Sequence, residues 1–174
     1  MPFYKYMKTL KGFIAIASLT AILAAAAAAQ TTLTTLDGSR VDLGGQHDKI
    51  VVLAVGAAWL PLSTKQADYT NTLAKKYAGK NVVFYFVATD SANAKSKNFT
   101  ATEDIGKWAF ANKLSIPVLR DPDGAVTLKK YNIDQFPSFV ILDKTGARFG
   151  EPFGGIDPKF DITVPISRAI DKLF

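Results

Sequence analysis

The reactive inventory of this 174-residue chain is short, because it contains no cysteine. A thiolate nucleophile, a disulfide, a cysteine-ligated metal and an iron–sulfur cluster are therefore closed to it. The most suggestive stretch is residues 50–66, Ile-Val-Val-Leu-Ala-Val-Gly-Ala-Ala-Trp-Leu-Pro-Leu-Ser-Thr-Lys-Gln, where an apolar run turns into a segment carrying the hydroxyl of Ser63. A serine nucleophile needs a base to take its proton. The sole histidine, His47, precedes the apolar run, and nothing in the spacing sets it against Ser63. Gln66 follows Ser63 at the distance of a capping box, so Ser63 is read as a helix cap that stabilises by about 1 kcal/mol. Asp121 and Asp123 are spaced so that both carboxylates can meet one ion, but Pro122 and Gly124 make Asp-Pro-Asp-Gly a turn, and the turn is the reading taken. Gly44-Gly45 and Gly154-Gly155 are isolated pairs without a phosphate-loop signature. No metal site and no cofactor is expected. Asn98-Phe99-Thr100 has the form of a glycosylation acceptor.

The elements that position these groups follow from periodicity. Residues 50–55 are an unbroken apolar, β-branched run, which suits a strand buried on both faces of a sheet. A turn through Gly56, Trp59 and Pro61 leads into a helix expected from Ser63 to about residue 78, with Ala67, Leu73, Ala74 and Tyr77 on one face and Gly79 closing it. Before it, residues 33–43 hold two short strand-like pieces around Asp37-Gly38, a strong hairpin signal. After it come a second buried strand at 82–88 and a polar connection at 89–102. A helix at 103–114 follows, with Ile105, Trp108, Ala109 and Asn112 on one side; Trp108 is read as core packing. Further on are a short strand at 116–119, a helix at 125–131, a strand at 136–142 that begins with a proline, an edge piece at 149–155 and a closing helix at 164–174. Strands alternating with helices predict an α/β sheet with antiparallel additions at the hairpin and at the carboxyl end.

Length and composition fit one domain behind a targeting segment. Residues 1–29 read as a signal peptide: Lys5, Lys8 and Lys11 form a positive front, an apolar core follows, and Ala27-Ala28-Ala29 offers a small-residue cleavage site. The rival is an uncleaved anchor, for which the alanine-rich stretch 13–29 lies at the lower limit of the roughly 17–25 residues that span a bilayer. The leader holds three of the 21 basic residues and none of the 15 acids, leaving residues 30–174 with a net charge of +3. The basic residues are scattered, and pairs such as Lys75-Lys76 and Lys129-Lys130 look like solvated helix faces, so nucleic acid is not an expected partner. A mature domain of about 145 residues buries enough surface to stand without disulfides.

The order of these pieces resembles the thioredoxin-like proteins of the TlpA type and, more distantly, the redoxin group that contains the peroxiredoxins. Leu-Asp-Gly-Ser-Arg-Val-Asp-Leu is similar to the family's leading hairpin. Lys-Ile-Val-Val-Leu-Ala-Val-Gly-Ala-Ala-Trp is similar to its first core strand, and Pro-Val-Leu-Arg-Asp-Pro-Asp-Gly-Ala-Val and Tyr-Asn-Ile-Asp-Gln-Phe-Pro-Ser-Phe-Val-Ile-Leu-Asp-Lys-Thr-Gly to later family patterns. The resemblance covers residues 36–174 and implies a thioredoxin-like fold: a central mixed β-sheet flanked by helices, with an N-terminal β-hairpin. It implies thiol–disulfide oxidoreductase or peroxide reductase activity, yet the redox pattern Trp-Cys-x-x-Cys is replaced by Trp59-Leu60-Pro61-Leu62-Ser63. Leu60 and Ser63 hold the degenerate cysteine positions, so no catalytic residue is assigned. The resemblance also identifies Phe136-Pro137 as the cis-proline element beside the redox turn, with Gln135 and Phe136 bulkier than is usual there. The expectation is an exported domain, residues 30–174, periplasmic or secreted. It would bind an extended peptide or protein through Trp59, Leu60, Pro61, Leu62, Phe136 and Pro137, without membrane contact unless the leader is kept. A role centred on the 89–102 connection is the blander alternative.

Overall fold

The computed structural model describes residues 31–174, so the leader and its cleavage site lie outside the described residues. Seven strands form one mixed sheet in the order β2-β1-β5-β4-β3-β6-β7, with four α-helices against it. The strands are β1 (Thr32–Thr35), β2 (Arg40–Asp42), β3 (Ile50–Gly56), β4 (Val82–Ala88), β5 (Val118–Arg120), β6 (Ser138–Leu142) and β7 (Phe153–Gly154). The helices are α1 (Leu62–Lys76), α2 (Thr102–Ala111), α3 (Thr127–Lys130) and α4 (Thr163–Asp171). β3, β4 and β5 are parallel; β6 and β7 add antiparallel on one side, and the β1–β2 hairpin on the other. This is the expected α/β architecture with its leading hairpin.

Every residue of β3 is buried, as its unbroken apolar run requires, and the pleat divides them between two layers. Ile50, Val52 and Ala54 point into a cluster with Leu73 of α1, Ile105 of α2 and Ile166 and Ile170 of α4, while Val51, Leu53 and Val55 join Leu33, Leu119 and Tyr131 on the other face. Trp108 packs on Phe86 with ring centroids 4.9 Å apart, in agreement with its core assignment. Parallel register aligns Gly56, Ala88 and Arg120 at the carboxyl ends of three adjacent strands. The segments leaving those ends build the site.

The element limits differ from the sequence reading by a few residues. β6 begins at Ser138 and not at Phe136, since Pro137 has no N–H to give the ladder. The edge piece contracts to β7, two residues long, and α4 stops at Asp171. Helix α1 begins at Leu62, with Pro61 at its N-cap and no side-chain cap bond, which overturns the capping box proposed for Ser63.

Candidate functional site

The site is the strand-to-helix turn between β3 and α1. Past Gly56 the backbone folds tightly: Leu60 N–H donates to the Ala57 carbonyl (3.1 Å), and Ser63 N–H to that of Leu60 (2.9 Å). Ser63 lies inside the first turn of α1, fully buried, and its hydroxyl accepts the N–H of Ala57 at 3.1 Å. The side chain thus braces the turn and does not end the helix. His47 is exposed before the start of β3, and that seven-residue strand places it about 20 Å from the turn, too far to act as a base.

Gln66, one helical turn further on, is the other half of the brace. Its amide nitrogen donates to the carbonyls of Val55 (3.2 Å) and Ser138 (2.8 Å), tying α1 to paired residues of β3 and β6. Its Oε1 and the Ser138 hydroxyl are buried without partners among the described residues.

Sequence reading missed Asp90. It is fully buried just beyond β4, and its carboxylate clasps the turn from the neighbouring strand. Both oxygens accept Ala58 N–H (3.0 and 2.9 Å), and Oδ1 also takes that of Trp59 at 3.4 Å. The available signal was an acid two residues past a buried parallel strand, where polar groups converge with those from the adjacent strand end. Asp90→Ala would leave these N–H groups without an acceptor, and the expected cost is about 2–3 kcal/mol. Guanidinium denaturation measures that cost, and a shift in Trp59 fluorescence reports loosening of the turn.

Trp59 is 43% exposed despite its size. The Phe136-Pro137 bond is cis, as the resemblance implied, with Pro137 buried and Phe136 half-buried. Trp59 and Phe136 line a common cavity of about 180 Å³ with Thr89, Asn98, Asp123 and Leu128. Of the residues expected to bind, Trp59 and Phe136 share that lining, and Leu60, Pro61, Leu62 and Pro137 are not among the lining residues. The 89–102 connection contributes Thr89 and Asn98, and it is closed by Ser91 N–H to the Asn98 carbonyl at 2.9 Å. Asp121, weighed earlier as half of a metal pair, is almost fully buried; its oxygens accept Val126 N–H (3.0 Å), Thr127 N–H (2.7 Å) and the Thr127 hydroxyl (2.6 Å), fixing the start of α3. A larger hollow of about 590 Å³, between α3 and the 145–147 turn, shares no lining residue with the Trp59 cavity.

A mixed sheet of this order, with a cis-proline following a parallel strand–turn–helix unit, defines the thioredoxin-like class. A sequence model of the Redoxin family matches residues 23–147, and the chain belongs to that family. Two curated relatives, each a thiol-disulfide oxidoreductase ResA, come from Bacillus thuringiensis subsp. konkukian and Bacillus cereus. Each is 28% identical over 114 residues, which is 66% of this chain. The chain spans about 60% of the length of these relatives. Among solved structures, a thioredoxin-like protein from Aeropyrum pernix aligns with a TM-score of 0.65 at 20% identity, covering 82% of this chain and 89% of that one. The exposed lipoprotein thioredoxin Etrx1 of Streptococcus pneumoniae aligns with a TM-score of 0.63 at 22% identity, covering 83% of this chain and 100% of that one. The fold is shared; the sulfur is not, since no cysteine stands anywhere in the sequence.

Proposed function

We propose that this chain is an exported thioredoxin-like protein without thiol chemistry, which works by holding an extended segment of another protein against the Trp59 turn and Pro137. The observation that carries this reading is a preserved frame around a missing reagent. The turn is braced, Trp59 is presented to solvent, and Phe136-Pro137 stands beside it, while Leu60 and Ser63 hold the positions where the family carries cysteine. Thiol–disulfide exchange requires a thiolate attacking sulfur, and a buried hydroxyl without a base does not replace it. Tryptophan is among the residues enriched at binding hot spots, and here Trp59 shares a cavity with Phe136. Export to the periplasm or the outside is supported by the leader's charge and alanine pattern and by a structural neighbour described as an exposed lipoprotein.

The test uses the protein as bait in the envelope and secreted fractions of its native cell. Wild type is expected to retain a defined partner, and Trp59→Ala combined with Phe136→Ala to lose at least about tenfold of it, as truncation at hot spots does. Equal retention by both baits would sink the reading. The family's activity supplies a second reading, thiol–disulfide oxidoreductase or peroxide reductase, and insulin-reduction and peroxide-consumption assays separate the two. Background rates are expected; turnover abolished by Ser63→Ala would establish the enzyme instead.

A further inference from the structure

Three carboxylates follow the carboxyl ends of β4 and β5 in the chain, Asp90, Asp121 and Asp123, and the first two are fully occupied. Asp90 holds the Trp59 turn, and Asp121 holds the start of α3. Asp123 is different. It is exposed, lines the Trp59–Phe136 cavity and accepts one hydrogen bond among the described residues, from the Ser91 hydroxyl to Oδ2 at 3.2 Å. No described donor reaches its Oδ1. Its backbone is held in place nonetheless: Asp123 N–H donates to the Thr89 carbonyl at 3.0 Å, and φ is +58°, a left-handed conformation that Asp and Asn adopt more readily than other side chains. The cavity wall thus carries two aromatic rings, the aliphatic Leu128, the neutral Thr89 and Asn98, and a single formal charge, which is negative.

From this we infer that the cavity receives a lysine or arginine side chain of the bound segment, an inference that rests on the peptide-binding reading above. Aromatic faces attract a cation through their quadrupole, and a carboxylate with a free acceptor oxygen adds a charge-assisted hydrogen bond. The long aliphatic stem of a basic residue lies along apolar walls while its head stays polar, which suits a lining that joins Leu128 and two rings to an exposed carboxylate. About 180 Å³ is too small for a cofactor-sized ligand, whose pockets run to roughly 300–1,000 Å³, and it suits one side chain. A metal ion is a poorer fit: no group of three His, Asp or Glu side chains with metal-binding spacing occurs among the described residues.

The test is a titration of the purified chain with blocked peptides Ser-Val-X-Val-Ser, in which X is lysine, its uncharged isostere norleucine, or glutamate. The lysine peptide is expected to bind about tenfold more tightly than the norleucine peptide, with glutamate weakest. The lysine preference should shrink in 0.5 M salt, as an exposed charge pair is screened. Asp123→Asn keeps the shape and the left-handed backbone, and it should bring the lysine-to-norleucine ratio to about one with the melting temperature preserved. Equal affinity for lysine and norleucine peptides would overturn the basic-side-chain inference while leaving the groove intact. A lysine preference that survives Asp123→Asn would overturn it too, as would free n-butylamine binding as tightly as the peptide. Binding of no peptide at all would bring down the groove reading and the inference together.

Discussion

Leu60→Cys combined with Ser63→Cys is expected to give this protein an intramolecular disulfide and a measurable insulin-reducing activity, at least about tenfold above the flat wild-type baseline. The geometry is in place. The Ser63 N–H to Leu60 carbonyl bond of 2.9 Å closes a four-residue turn, which holds the two Cα atoms within about 7 Å. A disulfide needs about 4.4–6.8 Å. Position 60 directly precedes Pro61, the N-cap of the 15-residue helix α1, and the helix N-terminus lowers the pKa of a thiol there and so favours the thiolate. Leu60 is half-buried and position 63 fully buried, so the first thiol is the one open to a substrate disulfide and the second resolves the mixed intermediate. Mass spectrometry of the oxidised variant checks bond formation, and the insulin assay checks turnover. A double variant that cannot close the disulfide would show that the turn has departed from redox geometry. A closed disulfide with no turnover would place the obstacle in the groove, at Gln135 and Phe136.

The second large effect is structural. Gly56 ends β3 at the point where α1 and the sheet approach most closely. A Cβ there would stand 2.3 Å from Gln66 Oε1, 2.8 Å from Ser63 Oγ and 2.9 Å from Phe86 Cζ. None of these is a free end of a flexible chain: Gln66 is tied by two hydrogen bonds, Ser63 accepts Ala57 N–H, and Phe86 is fully buried against Trp108. Gly56→Ala should therefore cost about 2–3 kcal/mol through forced repacking. For a domain of this size that lowers the melting temperature by roughly 6–12 °C. Calorimetry reads the shift. A melting temperature within a degree or so of wild type would mean that Gln66 swings aside without loss, and that its bonds to Val55 and Ser138 contribute little.

Much of the fold was legible because the informative residues repeat. The unbroken apolar runs of β3 and β4, the Asp37-Gly38 hairpin and the helical spacing of Ile105, Trp108 and Ala109 each carry a local signal that packing obeys. The site was legible only where a residue type is unusual: a tryptophan next to a proline turn, a proline after Phe136, the absence of cysteine. Its internal bonding was not, because it joins residues distant in sequence. Ser63 and Gln66 have the spacing of a capping box, and local pattern favours that reading. The β3–α1 approach at Gly56 instead draws both side chains inward, Ser63 to Ala57 and Gln66 to Val55 and Ser138. Asp90 stands 32 residues from Ala58 and meets it only because β3 and β4 run parallel in register.

The Asp90 clasp and the missing thiols together leave this turn with one covalent state. A dithiol turn has two covalent states, and the compartment's electron supply sets which of them prevails. Here a carboxylate fastens the same stretch of backbone from a neighbouring strand, and it has neither electrons to give nor a bond to break. A surface built on such a turn has no oxidised and reduced forms. If the Trp59 cavity holds a partner segment as proposed, its affinity is expected to be the same with and without a reductant, which titration under both conditions measures.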